Sequence, residues 1–364
     1  MKEIRLGLIG TGKISTQLAD AARAAGGFRL SAVLSRDPAR GAAFAKENGI
    51  ACAYAEEEAF YAAGLDAVYV ATPNSCHAHY AIAAAAHGLH VLCEKPVAAD
   101  REEWAAMRRA ADAHGVVLLE AMRPLHDPLM PLLQRELPAL GRLRHVRLEY
   151  CQYSSRYDAF RAGQVLRAFT PAYANAAVMD IGVYCVAVAA YLFGMPQKVQ
   201  ATSVFLENGF EGGGEALLAY PGFTVSLGYS KITASVAPSC FLGEDGALTV
   251  DRLNAPTRVL RCPRPGAGEG GDERRGVLFE KSAPHPAKTF GDGNGAPGGM
   301  GKSKPAPAEI RLPYTPTENN MVYELRDFAD LIARGETAHR WQEASDITIR
   351  ILDEIRRVAG IRFS

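Results

Sequence analysis

The chain has 364 residues, 48% hydrophobic and 22% charged, which suits two globular domains with sizeable cores. Forty Lys and Arg balance forty Asp and Glu, so nothing in the charge speaks for a nucleic acid or an anionic membrane, and a small-molecule partner is expected. Seven scattered cysteines without a Cys-x-x-Cys pair give no sign of zinc or a disulfide framework, no apolar run nears the roughly 20 residues that span a bilayer, and no secretory leader pattern is present, so a cytoplasmic protein is expected.

In chain order, residues 4–120 alternate short apolar runs with alanine-rich stretches, the pattern of an α/β domain with a parallel sheet covered on both faces. Strands are expected at 4–9, 29–34, 66–71, 90–93 and 116–119. Ile14, Leu18, Ala22 and Ala25 recur at helical spacing, and 80–86 is a second helix. The first strand runs into Gly10-Thr11-Gly12-Lys13-Ile14-Ser15, a dinucleotide fingerprint in which Ser15 replaces the third glycine. Gly10 permits the tight turn, Gly12 lets backbone approach a pyrophosphate, and the helix N-terminus offers free N–H groups. By itself such a turn is also an ordinary strand-to-helix connection; its place after the first strand of an alternating series carries the nucleotide reading.

The second strand ends at Leu34-Ser35-Arg36-Asp37. Ser35 and Arg36 favour NADP(H), because a hydroxyl and a guanidinium suit a 2′-phosphate. Asp37, beyond the strand end, keeps NAD(H) open but equally starts a turn with Pro38. Ala71-Thr72-Pro73-Asn74 and Glu94-Lys95-Pro96 close the next two strands, at the carboxyl edge where open α/β sheets bind ligands. The four histidines His77, His79, His87 and His90 do not share a face and make no metal site.

After Met122 the texture changes to long strands at 142–153, 199–206, 215–220 and 224–230, and an antiparallel sheet is expected. This divides the chain into a dinucleotide-binding domain at 1–122 and an α+β substrate and dimerisation domain at 123–364 with a large, mainly antiparallel open sheet. Residues 263–307, rich in Gly, Pro and charge, read as a mobile loop, the alternative being an ordered lid. Helices return at 318–334 and 342–358. One sheet face left uncovered by helices suggests a homodimer or higher homo-oligomer.

Taken together, Gly10 to Ser15, Thr72-Pro73-Asn74 with His77, Glu94-Lys95-Pro96, Glu120-Ala121-Met122-Arg123, Asp180-x-Gly182-x-Tyr184 and Glu324-x-x-x-Phe328 resemble the glucose-fructose oxidoreductase, inositol dehydrogenase and MocA family. The resemblance implies hydride transfer between a nicotinamide and a sugar, polyol or related hydroxy/carbonyl compound. It places Lys95, Asp180 and Tyr184 around the substrate hydroxyl. It also implies a nucleotide site of Gly10, Thr11, Gly12, Lys13, Ile14, Ser35, Arg36, Thr72, Pro73, Asn74, His77, Glu94, Lys95 and Arg123. His77 reads equally as a helix-start histidine. Arg123, His126, Tyr153, Arg156 and Tyr157 are candidate substrate contacts.

Asp180 and Tyr184 are four apart in a helical segment and so share a face, and Gly182 between them suggests close approach by a ligand or another backbone. A Tyr184 phenol lowered in pKa by the Lys95 ammonium would take the alcohol proton, while Lys95 stabilises the alkoxide and Asp180 orients the substrate and keeps Lys95 charged. One departure stands out: Asn175-Ala176 occupies positions where the family has two glycines, which would narrow the pocket. The competing readings are a dinucleotide-binding regulator without turnover and an NAD-dependent glycosidase.

Overall fold

The first strand, β1 (Ile4–Ile9), sits at the centre of a sheet and is almost wholly apolar because helices cover it on both faces. The computed structural model describes residues 3–264 and 309–363, so the loop expected at 263–307 lies, apart from its first two residues, outside the described residues. After β1 come α1 (Lys13–Ala25), β2 (Phe28–Leu34), α2 (Pro38–Glu47), β3 (Cys52–Tyr54), α3 (Glu57–Tyr61), β4 (Ala67–Val70), α4 (His77–Ala86), β5 (His90–Glu94), α5 (Arg101–His114) and β6 (Leu118–Ala121). The six strands are all parallel, in the order β3-β2-β1-β4-β5-β6. The order reverses beside β1, and the loops leaving β1, β2 and β4 diverge there to open a crevice.

Short helices α6 (Arg123–His126) and α7 (Leu129–Glu136) lead out of this domain into β7 (Leu143–Cys151). The chain continues through α8 (Tyr157–Arg161), a π-helical turn at Val178–Gly182 and α9 (Val183–Phe193), then β8 (Lys198–Phe205), β9 (Glu211–Tyr220), β10 (Phe223–Ser230), β11 (Ser239–Gly243), β12 (Gly246–Val250) and β13 (Val259–Pro263). After the undescribed stretch come β14 (Ile310–Arg311), α10 (Met321–Arg334) and α11 (Arg340–Ala359). The second sheet runs β14-β13-β12-β11-β7-β10-β9-β8.

This sheet is not antiparallel throughout: β7 and β10 pair in parallel, with Leu148 opposite Leu227 and Tyr150 opposite Tyr229. The chain leaves β7, crosses over through α9, and builds β8, β9 and β10 from the edge inward, so β10 meets β7 running the same way. That pairing brings the carboxyl ends of β7 and β10 to one place, beside the π-helical turn. α9 and α11 cover one face of the sheet, which buries Leu218, Val225 and Leu227. The other face exposes Leu217 and Leu242.

The last two helices do not stay with the second sheet. α10 packs on α1, and α11 packs on α9 and β8 but also on α5 and β6. Asn319 donates to the Gln17 carbonyl in α1 at 2.8 Å, and Arg356 donates to the Ala99 carbonyl at 2.8 Å. These helices clamp the two sheets together and fix the crevice walls.

Candidate active site

The nucleotide half of the site follows from the β1–α1 turn. Gly10 has φ +110°, and a side chain there would bring a Cβ within 2.4 Å of the Ala71 carbonyl oxygen, so both conformation and space require glycine. A Cβ on Gly12 would instead point into open space. α1 starts directly after Gly12 with no side-chain cap and no acid in its first turn, which leaves its N–H groups and positive end facing the crevice. A cleft of about 740 Å³ runs past this turn, lined on one side by Ser35, Arg36, Asp37 and Arg40 and on the other by Ala71 to Asn74. An open anion cradle, a cationic rim and a cleft of this size fit a dinucleotide.

At the β2 end the Ser35 hydroxyl is buried and donates to the Asp37 carbonyl at 2.9 Å. Asp37 caps α2, its carboxylate accepting from the Arg40 amide at 3.1 Å, as the Asp37-Pro38 turn reading expects. Arg40, four residues on from Arg36, donates to the Thr11 carbonyl at 3.3 Å and lines the cleft beside it.

The opposite end of the cleft is bounded by Asp180 and Lys231. Lys95, at the exit of β5 and 14% exposed, donates to the Asp180 carbonyl oxygen at 2.8 Å and to its Oδ1 at 2.9 Å, and lies 5.0 Å from the Tyr184 ring centre. Lys231, at the exit of β10 and 4% exposed, lies 2.9 Å from Asp180 Oδ2. Behind Lys95, Glu94 accepts from the Tyr69 hydroxyl and from the Lys95 amide. Burial would lower the Lys95 pKa, but Asp180, Tyr184 and Glu94 together outweigh it, and the ammonium titrates well above its ordinary range. For Asp180 burial raises the pKa, and the two lysines outweigh it, so its carboxyl is held below the usual carboxylate range.

Two expectations need correction here. The Tyr184 phenol is not lowered: burial raises its pKa by more than Lys95 and Arg123 pull it down. Gly182 makes room neither for a ligand nor for backbone, since an added Cβ would lie 2.9 Å from the Tyr229 ring. Tyr229 comes from β10, and its close approach is what seats the π-helical turn on the sheet.

Of the other candidates, Gly10, Thr11, Gly12, Ser35, Arg36, Thr72, Pro73 and Asn74 line the cleft, as does Arg156. Lys13 is exposed and Ile14 half-buried at the start of α1. His77 opens α4, as its helix-start reading has it, and braces the wall: it is 1% exposed, with Nδ1 2.9 Å from the Pro96 carbonyl oxygen and Nε2 3.0 Å from that of Thr72. His126 lies away from the cleft, its Nδ1 2.7 Å from Asp327 Oδ2. Arg123 is half-buried behind Lys95 and donates to Gln17 and to the Met321 sulfur. Tyr153 donates to Asp158 at 2.6 Å, and Tyr157 stacks on Phe160 and Phe169, so neither ring is part of the cleft wall. Asn175 does line the cleft, but its amide is occupied with the Arg167 and Thr170 carbonyls, while Ala176 is buried in the core. Among the described residues no group of three or more His, Cys, Asp or Glu could hold a metal ion, and no helix is long and apolar enough to cross a membrane.

A parallel sheet with a glycine-turn anion cradle, joined to a second sheet at whose edge Lys95 and Lys231 meet Asp180 beside Tyr184, defines a dinucleotide-dependent oxidoreductase. The chain belongs to the Gfo/Idh/MocA family: residues 4–122 match the model of its oxidoreductase domain with an NAD-binding Rossmann fold, and residues 138–249 match that of its C-terminal domain. It is 37% identical over 362 residues, 98% of each chain, to scyllo-inositol 2-dehydrogenase (NADP(+)) IolU of Bacillus subtilis, and 34% identical over 361 residues to the uncharacterized oxidoreductase YgjR of Escherichia coli, covering 99% of this chain and 98% of the relative. The fold is shared with KijD10, a 3-ketoreductase of Actinomadura kijaniata solved with NADP and TDP-benzene, at a TM-score of 0.77, 22% identity and 98% coverage of both chains.

Proposed function

We propose that this protein is an NADP-preferring dehydrogenase or reductase of sugars and cyclic polyols, with Lys95, Asp180 and Tyr184 as its catalytic residues. The observation that carries the reading is the Lys95 ammonium, held at 2.8 and 2.9 Å by Asp180 and 5.0 Å from the Tyr184 ring, where the nucleotide cleft ends. Similarity to a scyllo-inositol dehydrogenase along nearly the whole chain supports a polyol substrate. Arg36 and Arg40 on the rim, with the Asp37 carboxylate engaged in capping α2, support NADP over NAD.

NADP bound in the cleft would supply the hydride acceptor or, reduced, the donor. Of the three N–H donors of Lys95, two serve Asp180, and the third is left for a substrate oxygen, whose developing negative charge the ammonium stabilises. Tyr184 gives or takes the proton at that oxygen through its phenol. Asp180 keeps Lys95 charged and aimed. The balanced charge and scattered cysteines support a cytoplasmic protein, and the open face carrying Leu217 and Leu242 supports a homodimer.

The test is a screen of inositols, pentoses and hexoses with NADP+ or NAD+, and of the corresponding ketones with NADPH, following nicotinamide absorbance. Turnover is expected with NADP+ and a cyclic polyol or aldose, lost in Lys95→Ala while NADPH binding persists. Absence of turnover with every compound, or full activity in Lys95→Ala, overturns the reading.

A further inference from the structure

The catalytic reading above gives Asp180 one lysine; the structure gives it two. Lys231 enters from the exit of β10, on a different element from Lys95, and its ammonium meets the carboxylate oxygen that Lys95 leaves free. It is nearly inaccessible, and its second partner is the Ala168 carbonyl oxygen at 2.8 Å. The rings of Phe169 and Phe210 stand 5.2 Å from the charge on either count, a cation–π cage that tolerates an ammonium in an apolar place. Its backbone is pinned as well, donating to Gly212 and accepting from Ser154.

A buried ammonium is costly to desolvate, and an apolar side chain would fill an aromatic-walled slot at lower cost. The lysine has a use there because of what it does to Asp180. With only Lys95 as partner, the carboxylate, 41% exposed toward the cleft, could rotate and offer either oxygen to solvent or substrate. With an ammonium on each oxygen, both are assigned and the plane of the carboxylate is fixed.

Resting on the catalytic reading above, we propose that Lys231 is a positioning residue: it holds Asp180 Oδ2 so that Oδ1 and the Lys95 ammonium stay in register with the reacting oxygen. The groups facing Asp180 are Lys95 at the exit of β5, Lys231 at the exit of β10, Tyr184 from α9 and Tyr150 from β7. Glu94 and Arg123 stand behind Lys95, and Arg156 and Arg167 lie along the cleft wall. Removing Lys231 leaves Lys95 as the sole cation on the carboxylate, so Asp180 becomes easier to protonate.

The experiment combines kinetics with carbon NMR of protein labelled at aspartate Cγ, the Asp180 resonance being assigned by its loss in Asp180→Asn. In the wild type the Asp180 carboxylate is expected to stay ionised down to the lowest pH at which the fold persists. In Lys231→Met it is expected to titrate at higher pH, with kcat reduced about tenfold or more, the acid limb of the pH profile moved upward, and NADPH affinity kept. Lys231→Arg, which restores the cation, should return the titration toward wild type. Lys231→Gln retains a donor to the Ala168 carbonyl and gives the same reading if the methionine variant does not fold. A wild-type Asp180 that titrates in the ordinary carboxylate range, or one whose titration is unmoved in the neutral variants, overturns the proposal whatever happens to the rate. Failure of the wild type to turn over any polyol would overturn the catalytic reading instead, and the NMR titration would still decide whether Lys231 fixes Asp180.

Discussion

At Tyr184 two opposed effects act on one phenol: burial raises its pKa, the Lys95 and Arg123 cations lower it, and burial prevails. The phenol is therefore protonated at neutral pH, which suits donation to a carbonyl. Working as a base in alcohol oxidation requires the ionised form, whose fraction rises tenfold per pH unit below the pKa. The oxidation rate should accordingly climb between about pH 7 and about pH 9 while the reduction rate stays flat, and Tyr184→Phe should abolish the climb and cost about a hundredfold or more. Initial rates in both directions across that range check this; a flat oxidation profile in the wild type would remove Tyr184 from the proton path. Lys95, Asp180 and Tyr184 were legible because each sits in a motif of fixed spacing. Lys231 was not, since a single lysine after a strand has no motif, and only the parallel β7–β10 pairing carries it to Asp180. Arg40 had a fainter signal, a second arginine in the first turn of α2, four residues beyond Arg36.

The π-helical turn that presents Asp180 is tied to the sheet by Glu211 of β9, whose carboxylate accepts from the Val178 amide at 2.9 Å and from Ser203 at 3.3 Å. Burial pushes Glu211 up to about 7, and Glu120 is likewise pushed up to about 7 by burial. Because the folded pKa lies above the unfolded one, the unfolded chain ionises first as pH rises from about 4 toward 7, so these two groups make the fold less stable across that window. Thermal unfolding should occur at lower temperature at pH 8 than at pH 5, by a margin that Glu211→Gln narrows; an equal margin in the variant counts against this account. Among elements, β1, β2, β4 and β5 were readable within a few residues because their apolar runs end in turn residues. β3 and β14 were too short to stand out, and β9 reaches back through Gly212-Gly213-Gly214, which mimics a loop in sequence. In the sheet those glycines leave room: a Cβ on Gly214 would lie 2.7 Å from the Tyr229 hydroxyl. The second sheet is mainly antiparallel as expected, and its parallel β7–β10 pair went unforeseen because local pattern does not register a crossover.

On the scale of the molecule, the passage from the parallel sheet to the second sheet was visible in the change of texture near residue 122, but the return of α10 and α11 to the elements around the first sheet was not, because amphipathic spacing does not say which surface a helix will cover. The face of the second sheet that no described helix covers is the proposed dimer contact. Light scattering should give twice the chain mass, and Leu217→Glu with Leu242→Glu should return a monomer; a monomeric wild type rules the contact out. The two lysines and the single carboxylate between them sum to one surplus positive charge. An alcohol brings nothing to cancel it, whereas the alkoxide that the same alcohol becomes does. On the proposed catalytic reading the cluster should bind the product of proton loss more tightly than the compound that lost it, and a small anion that imitates the alkoxide should be a better inhibitor than a neutral analogue of the substrate.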